Sequence, residues 1–181
     1  FEEENRADVW GIDDYDLFKE SDIKLKELHQ KGKPFVAYIQ TATNHMPFTV
    51  PSQKESFTPI LENETDEETL LKGGFRSLDQ LNGIRYLDFN VARFLKRAQA
   101  SGYYDNSIFV FFGDHRGGMK KLNFLKDNED DLGIQLHHVP FFIHAPKYIK
   151  PQVVDTYAKL VDIFPTATSL ARIDHTNYTL G

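Results

Sequence analysis

Asp114 and His115 stand side by side where an apolar run, Ile108 to Phe112, breaks off at Gly113. A carboxylate and an imidazole are competent ligands for a divalent metal. Two further histidines fall beside apolar runs. His45 lies in Thr41-Ala-Thr-Asn-His-Met-Pro-Phe48, and His138 introduces Val139-Pro-Phe-Phe-Ile-His144. An imidazole can ligate metal, hydrogen-bond a phosphoryl or sulfuryl oxygen, or shuttle a proton. Taken singly, each of these histidines reads as well as a structural or surface residue. Their gathering at the ends of apolar runs, next to an Asp-His pair, is what points to chemistry.

The elements that would position them follow from the pattern of the chain. Residues 1–20 are polar with scattered aromatics and read as an irregular lead-in. Ser21 or Asp22 can cap a helix carrying Ile23, Leu25 and Leu28 and stopped by Lys31-Gly32. Pro34-Phe-Val-Ala-Tyr-Ile39 reads as a strand with Pro34 at its edge. It runs into the His45 loop, and residues 51–70 then form an acidic stretch expected to be a mobile excursion or lid. Ile84, Leu87, Val91, Phe94, Leu95 and Ala98 share one helical face, which ends at Ser101-Gly102. The run 108–112, too short for a helix, is expected as a strand buried on both faces. Strand 35–39, the helix and strand 108–112 make a right-handed βαβ crossover with a parallel sheet. A polar loop over 123–133 leads to a third strand at 139–144, and 160–173 reads as an amphipathic helix that tolerates Pro165 only near its first turn or as a kink. The class is α/β, a mostly parallel sheet flanked by helices. In such sheets the loops after the strands lie at one carboxyl edge, where ligands bind. That edge would collect His45 and His115, and His138 if the 116–138 excursion returns there.

Composition bounds the functional classes. At 181 residues and 40% hydrophobic content, with 15 Phe and 8 Tyr, the chain can build a core. A net charge of −6 gives no footprint for nucleic acid, and no basic run suggests a membrane surface. No apolar stretch approaches the ~18–20 residues of a membrane-spanning helix. The chain opens at Phe1-Glu-Glu-Glu with neither an initiator Met nor a signal-peptide pattern. Zero cysteines exclude disulfides and thiol chemistry and leave the compartment open.

Five pieces in order carry a family resemblance. They are Thr-Asn-His-Met-Pro-Phe (43–48), Tyr-Leu-Asp (86–88), Ser-Gly-Tyr-Tyr-Asp-Asn-Ser-Ile-Phe-Val-Phe-Phe-Gly-Asp-His (101–115), His-Val-Pro-Phe-Phe-Ile (138–143) and Leu-Val-Asp-Ile-Phe-Pro-Thr (160–166). Together they resemble the lipoteichoic acid synthase-like branch of the sulfatase/alkaline phosphatase superfamily. Trp-Gly-Ile-Asp-Asp-Tyr-Asp-Leu-Phe (10–18) is similar to a stretch upstream of that family's histidine loop, so the likeness runs over roughly residues 10–173.

The resemblance implies a membrane-anchored bacterial enzyme whose catalytic domain faces outside the cytoplasm. Such enzymes move phosphoglycerol, or related phosphoryl-linked groups, from a phospholipid donor to an envelope glycan or lipid acceptor. A Thr nucleophile forms a covalent phosphoryl-enzyme, and one divalent metal, Mn²⁺ or Zn²⁺, neutralises charge on the phosphoryl oxygens. Carried over by position, Asp114 and His115 match two metal ligands. His45 matches the histidine that contacts the phosphoryl group or its glycerol. His138 resembles a phosphate-contacting histidine before Val-Pro in related phosphoethanolamine transferases. Arg116 stands where the family usually has Gly; its guanidinium could bind an anionic substrate or crowd the turn.

The family's nucleophilic Thr and an acidic metal ligand match nothing in this chain, since Thr41 and Thr43 belong to the histidine loop. The sequence therefore resembles the C-terminal half of a catalytic domain, inactive by itself. The missing N-terminal half would be its first partner, and exposed apolar surface would make a homodimer an expectation. Two alternatives remain: a sulfatase or phosphodiesterase of the same superfamily, and a non-catalytic remnant that binds the envelope.

Overall fold

Asp13 opens the first helix. In the computed structural model, which describes residues 6–51, 55–116, 132–174 and 176, its carboxylate accepts the backbone N–H groups of Tyr15 and Asp16 and caps α1, Asp14–Gln30. A side-chain oxygen there satisfies donors that the first turn leaves over, and Asp14 and Asp16 put negative charge at the positive end of the helix dipole. The helix thus starts upstream of the Ser21 or Asp22 cap expected from apolar spacing, and part of the supposed irregular lead-in is helical. Its end falls where the sequence puts it. Lys31 is the C-cap, and Gly32 takes a left-handed φ of 67° that a Cβ would oppose.

Within the acidic stretch 51–70, a 3-10 turn forms at Glu62–Glu64 and a short helix α2, Glu67–Lys72, begins. Asp66 caps α2 by accepting the Thr69 N–H at 2.7 Å. The long helix α3, Leu78–Ser101, is capped by Ser77 and closed by Gly102 in the left-handed conformation. Its most buried line is Tyr86, Asn90, Phe94 and Ala98, four residues apart, while Ile84, Leu87, Val91 and Leu95 are only half-buried. The core face is therefore rotated from the one that hydrophobicity alone selects, because α1 packs along this line. Phe18 stacks on Phe94 with ring centroids 4.9 Å apart. Asn90 is admitted by donating to the Tyr86 carbonyl at 2.9 Å, since a buried polar group must be partnered. Beyond Gly102, the Tyr103 hydroxyl donates to Asp22 at 2.8 Å and ties the end of α3 back to α1.

The first of two compact units runs to Tyr104, and the second takes Asp105–Arg116 and the chain from Gln135 onward. The second is built on β1, Phe109–Phe112, and β2, Phe141–His144, paired antiparallel with Phe112 opposite Phe141. Phe111 and Phe142 stack across the ladder at 4.7 Å. A single turn of helix, α4 (Ile134–His137), precedes His138. A 3-10 turn at Leu160–Asp162 leads into α5, Ile163–Leu170, with Pro165 in its first turn, where no N–H is needed.

Two expectations about the sheet are corrected. Residues 35–39 form no ladder among the described residues, and Val36 and Tyr38 are 83% and 69% exposed. Strong β formers favour an extended backbone, but a strand exists only against a neighbour. The parallel βαβ crossover is accordingly not formed by the described strands. The run around β1 is not buried on both faces either: its residues are half-buried and Phe112 is exposed, as two strands alone cannot cover both sides.

Candidate active site

The His45 loop is held from beneath by a buried carboxylate. Asp14 is fully buried, and its Oδ1 accepts the N–H groups of Ala42 at 3.0 Å and Thr43 at 3.2 Å. In return the Asp14 N–H donates to Thr43 Oγ1 at 3.0 Å. Asp14 Oδ2 is buried with no hydrogen-bond partner among the described residues. Burial pushes the Asp14 carboxyl above the ordinary carboxylate range, against the pull of the two loop N–H groups. Next to it, the Tyr86 hydroxyl donates to Asp13 Oδ1 at 2.8 Å, so α3 clamps the same helix start. Burial and the facing Asp13 carboxylate push the Tyr86 phenol well above its usual range. From the other side α3 meets the loop at Gly83, where a Cβ would lie 3.0 Å from the Thr43 carbonyl oxygen. A side chain there would need the loop to give by a few tenths of an ångström, so glycine suits this close approach.

At the tip the chain turns tightly. His45 N–H donates to the Ala42 carbonyl and Phe48 N–H to the His45 carbonyl, with a cis Met46–Pro47 bond between. The exposed imidazole of His45 has Nδ1 at 2.9 Å from the Met46 carbonyl oxygen. Trp10 packs on the ring with centroids 4.2 Å apart and donates its indole N–H to the same carbonyl at 2.8 Å.

Asp114 and His115 lie just past β1. The His115 N–H donates to Asp114 Oδ1 at 2.9 Å, folding the carboxylate back over the turn. His115 Nδ1 is 3.3 Å from the Arg116 carbonyl oxygen. Nε2 and Asp114 Oδ2 are 3.7 Å apart on side chains about 60% exposed. Two donors on one tetrahedral ion with bonds of ~2.0–2.1 Å stand ~3.4 Å apart, so this pair fits a divalent ion after a small rotation. Among the described residues no group of three or more His, Cys, Asp or Glu converges.

The antiparallel ladder explains how His138 comes near that turn. Gly113 N–H donates to the Pro140 carbonyl at 3.1 Å, and a Cβ on Gly113 would sit 2.9 Å from Val139 Cβ. The Asp-His turn and His138 thus follow and precede the same end of the ladder, where Phe112 faces Phe141. His138 is exposed and Arg116 half-buried at this same end of the ladder. The second unit thus gathers Asp114, His115, Arg116 and His138, whereas His45 belongs to the first unit. Trp10, Asp13, Asp14 and Tyr86, which support His45, were not singled out by reasoning about reactive residues. An available signal was the Asp-Asp pair ahead of a helical pattern, a capping signature.

Comparison with known proteins decides the family. The Sulfatase family profile matches residues 2–173. The chain belongs to the sulfatase family. Among its relatives, lipoteichoic acid synthase 1 of Bacillus subtilis is 33% identical over 175 residues, which are 93% of this chain and 25% of that protein. Lipoteichoic acid synthase of Staphylococcus saprophyticus is 30% identical over 186 residues, 98% of this chain and 26% of the relative. The sulfatase-family chain therefore spans about a quarter of the length of these curated relatives. An alkaline phosphatase superfamily protein from Vibrio parahaemolyticus superposes with a TM-score of 0.69 at 25% identity, over 93% of this chain and 36% of that one. The lipoteichoic acid synthase LtaP from Listeria monocytogenes shares the fold, with a TM-score of 0.68 at 22% identity over 92% of this chain and 41% of its own. The expected alkaline phosphatase/sulfatase-like fold, present here as part of a domain, is borne out. No helix among the described residues is long and apolar enough to cross a membrane.

Proposed function

We propose that this chain is the metal- and phosphate-contacting part of a phosphoglycerol-type transferase acting on the outer face of a bacterial cell membrane. The donor is a phospholipid carrying phosphoglycerol, and the acceptor is an envelope glycan or lipid. The observation that carries the reading is the antiparallel register that brings His138 to the end of the ladder bearing Asp114 and His115. Asp114 and His115 would hold one Mn²⁺ or Zn²⁺, which when bound offsets negative charge on the phosphoryl oxygens. His45 and His138 contact the phosphoryl group or its glycerol and can hold or give up a proton at a ring nitrogen. Arg116 binds the anion through its guanidinium. The nucleophile is a Thr from outside these 181 residues: the Thr43 hydroxyl is buried and accepts the Asp14 N–H, which commits it to holding the loop. Attack by that Thr forms a Thr O–P bond and breaks the bond from phosphorus to the lipid alcohol, which leaves with a proton. The acceptor hydroxyl then displaces the Thr. The remainder of the catalytic domain is the partner that supplies the nucleophile and a further acidic ligand.

Mn²⁺ binding to the purified chain, followed by loss of the free-ion electron paramagnetic resonance signal, tests the reading. Asp114→Ala and His115→Ala should each weaken binding at least about tenfold, or ~1.4 kcal/mol. Equal binding by native and variant chains would remove the metal site. The chain alone should release no diacylglycerol from phosphatidylglycerol. Mn²⁺-dependent release that Asp114→Ala abolishes would place the nucleophile inside these residues. Sulfate-ester cleavage without phosphoglycerol transfer, once the chain is joined to the rest of its domain, would favour the sulfatase reading.

A further inference from the structure

Trp10 is an exposed aromatic on a tight turn that the proposed chemistry does not use. The turn is closed by Ala7 N–H on the Gly11 carbonyl at 2.7 Å and by Trp10 N–H on Asp8 Oδ1 at 2.8 Å, with Gly11 at a φ of 125°. Arg6 braces it through the Val9 carbonyl at 2.9 Å. Trp10 is nevertheless 55% exposed, so the bracing does not serve to bury the indole. What it achieves is placement: the ring lies on His45 and the indole N–H reaches the Met46 carbonyl.

We infer that Trp10 is a positioning residue that fixes the tautomer and ring orientation of His45. Trp Nε1 and His45 Nδ1 converge on one carbonyl oxygen, which has two lone pairs to receive them. A carbonyl offers no hydrogen, so the His45 contact exists only when Nδ1 carries the proton. Neutral His45 is therefore held as the Nδ1–H tautomer, with its lone pair on Nε2, the nitrogen that would accept a proton or, once protonated, donate to a phosphoryl oxygen. The indole contributes twice. Its N–H pins the Met46 carbonyl in the direction that Nδ1 needs, and its ring restricts rotation of the imidazole. The meaning of this for catalysis rests on the proposed role of His45, but the tautomer itself can be read without substrate.

The test is a long-range ¹H–¹⁵N spectrum of the full chain labelled at histidine, recorded above the range where imidazole is charged and assigned with H45Q. Native His45 should appear as the Nδ1–H form. W10A should lower the ratio of Nδ1–H to Nε2–H about fivefold to tenfold, the worth of one hydrogen bond. W10F, which keeps a ring over His45 and removes only the N–H donor, should move part of the way. It decides the matter if W10A does not fold. A native Nε2–H form, or an Nδ1–H form that persists in the folded variants, would overturn the inference. Addition of glycerol phosphate separates the two claims: tautomer control with His45 signals unmoved by the ligand would keep Trp10 as a positioning residue and take His45 out of the transferase reading.

Discussion

In the first unit the His45 loop hangs on buried hydrogen bonds, whereas in the second the Asp-His turn stands in the open at the end of two strands. Asp14, with no exposed surface, holds the His45 loop through three hydrogen bonds. Asp114 and His115 are more than half exposed, and their positions depend on Gly113 fitting against Val139 and Pro140. The difference teaches where each group's precision comes from. His45 is placed by its own unit, so its geometry is complete before any ligand arrives. The Asp-His pair offers two donors of the kind a divalent metal takes, on side chains that, among the described residues, no buried hydrogen bonds hold in place.

Substitution of the two aspartates should break this contrast most strongly. Asp14→Ala leaves two buried loop N–H groups without their acceptor and should cost about 2–3 kcal/mol in denaturant unfolding. Asp114→Ala should change stability by no more than about 0.5 kcal/mol while removing metal binding. Comparable losses of stability from both would mean that the two sites are built alike.

The glycines sharpen the comparison at a smaller scale. Gly113→Ala puts a Cβ against Val139 and should cost about 1–3 kcal/mol through overpacking, with weaker Mn²⁺ binding because the Asp-His turn must shift. Gly83→Ala meets the Thr43 carbonyl instead and should disturb the His45 signals while leaving Mn²⁺ affinity in place.

Acid and alkali address the buried groups alone. Because burial raises the Asp14 carboxyl above its unfolded value, the folded chain holds its proton to higher pH than the unfolded chain does. The proton-linked part of Asp14's contribution to stability is thus full below its unfolded value near 3.8 and is lost as pH rises through the raised one. Native stability minus that of Asp14→Asn should fall over this window. A difference that is flat with pH would refute the assigned burial. Tyr103, raised by burial and by the Asp22 carboxylate, follows the same sign at the alkaline end. Stability should decline as pH rises past about 10, where the unfolded phenol ionises first. Tyr103→Phe should flatten that decline and lower neutral stability by about 1 kcal/mol.

Much of this was legible in the sequence, and the rest was hidden for physical reasons. Helix ends marked by Lys31-Gly32 and Ser101-Gly102 were readable because only glycine takes those left-handed turns easily. Asp114 and His115 stood out because a polar pair ends an apolar run. The start of α1 was obscured because Asp13 and Asp14 act by capping and by burial, neither of which apolar periodicity registers. The buried line of α3 ran through Asn90 and Tyr86 because hydrogen bonds let polar groups into a core. Residues 35–39 carried a sound strand pattern, but pairing depends on a neighbour that local sequence does not supply. The strand at 139–144 was legible, but its antiparallel pairing with β1 was not, for the same reason, and it was this pairing that set His138 at the end of the ladder that bears the Asp-His turn.

The most direct test of the metal-dependent reading is anomalous diffraction at the Mn and Zn edges from crystals of the chain soaked in each metal. The account predicts a peak about 2.0–2.3 Å from both an Asp114 carboxylate oxygen and His115 Nε2, stronger at the edge of the preferred ion. Well-ordered Asp114 and His115 side chains with no anomalous peak between them at millimolar metal would contradict it.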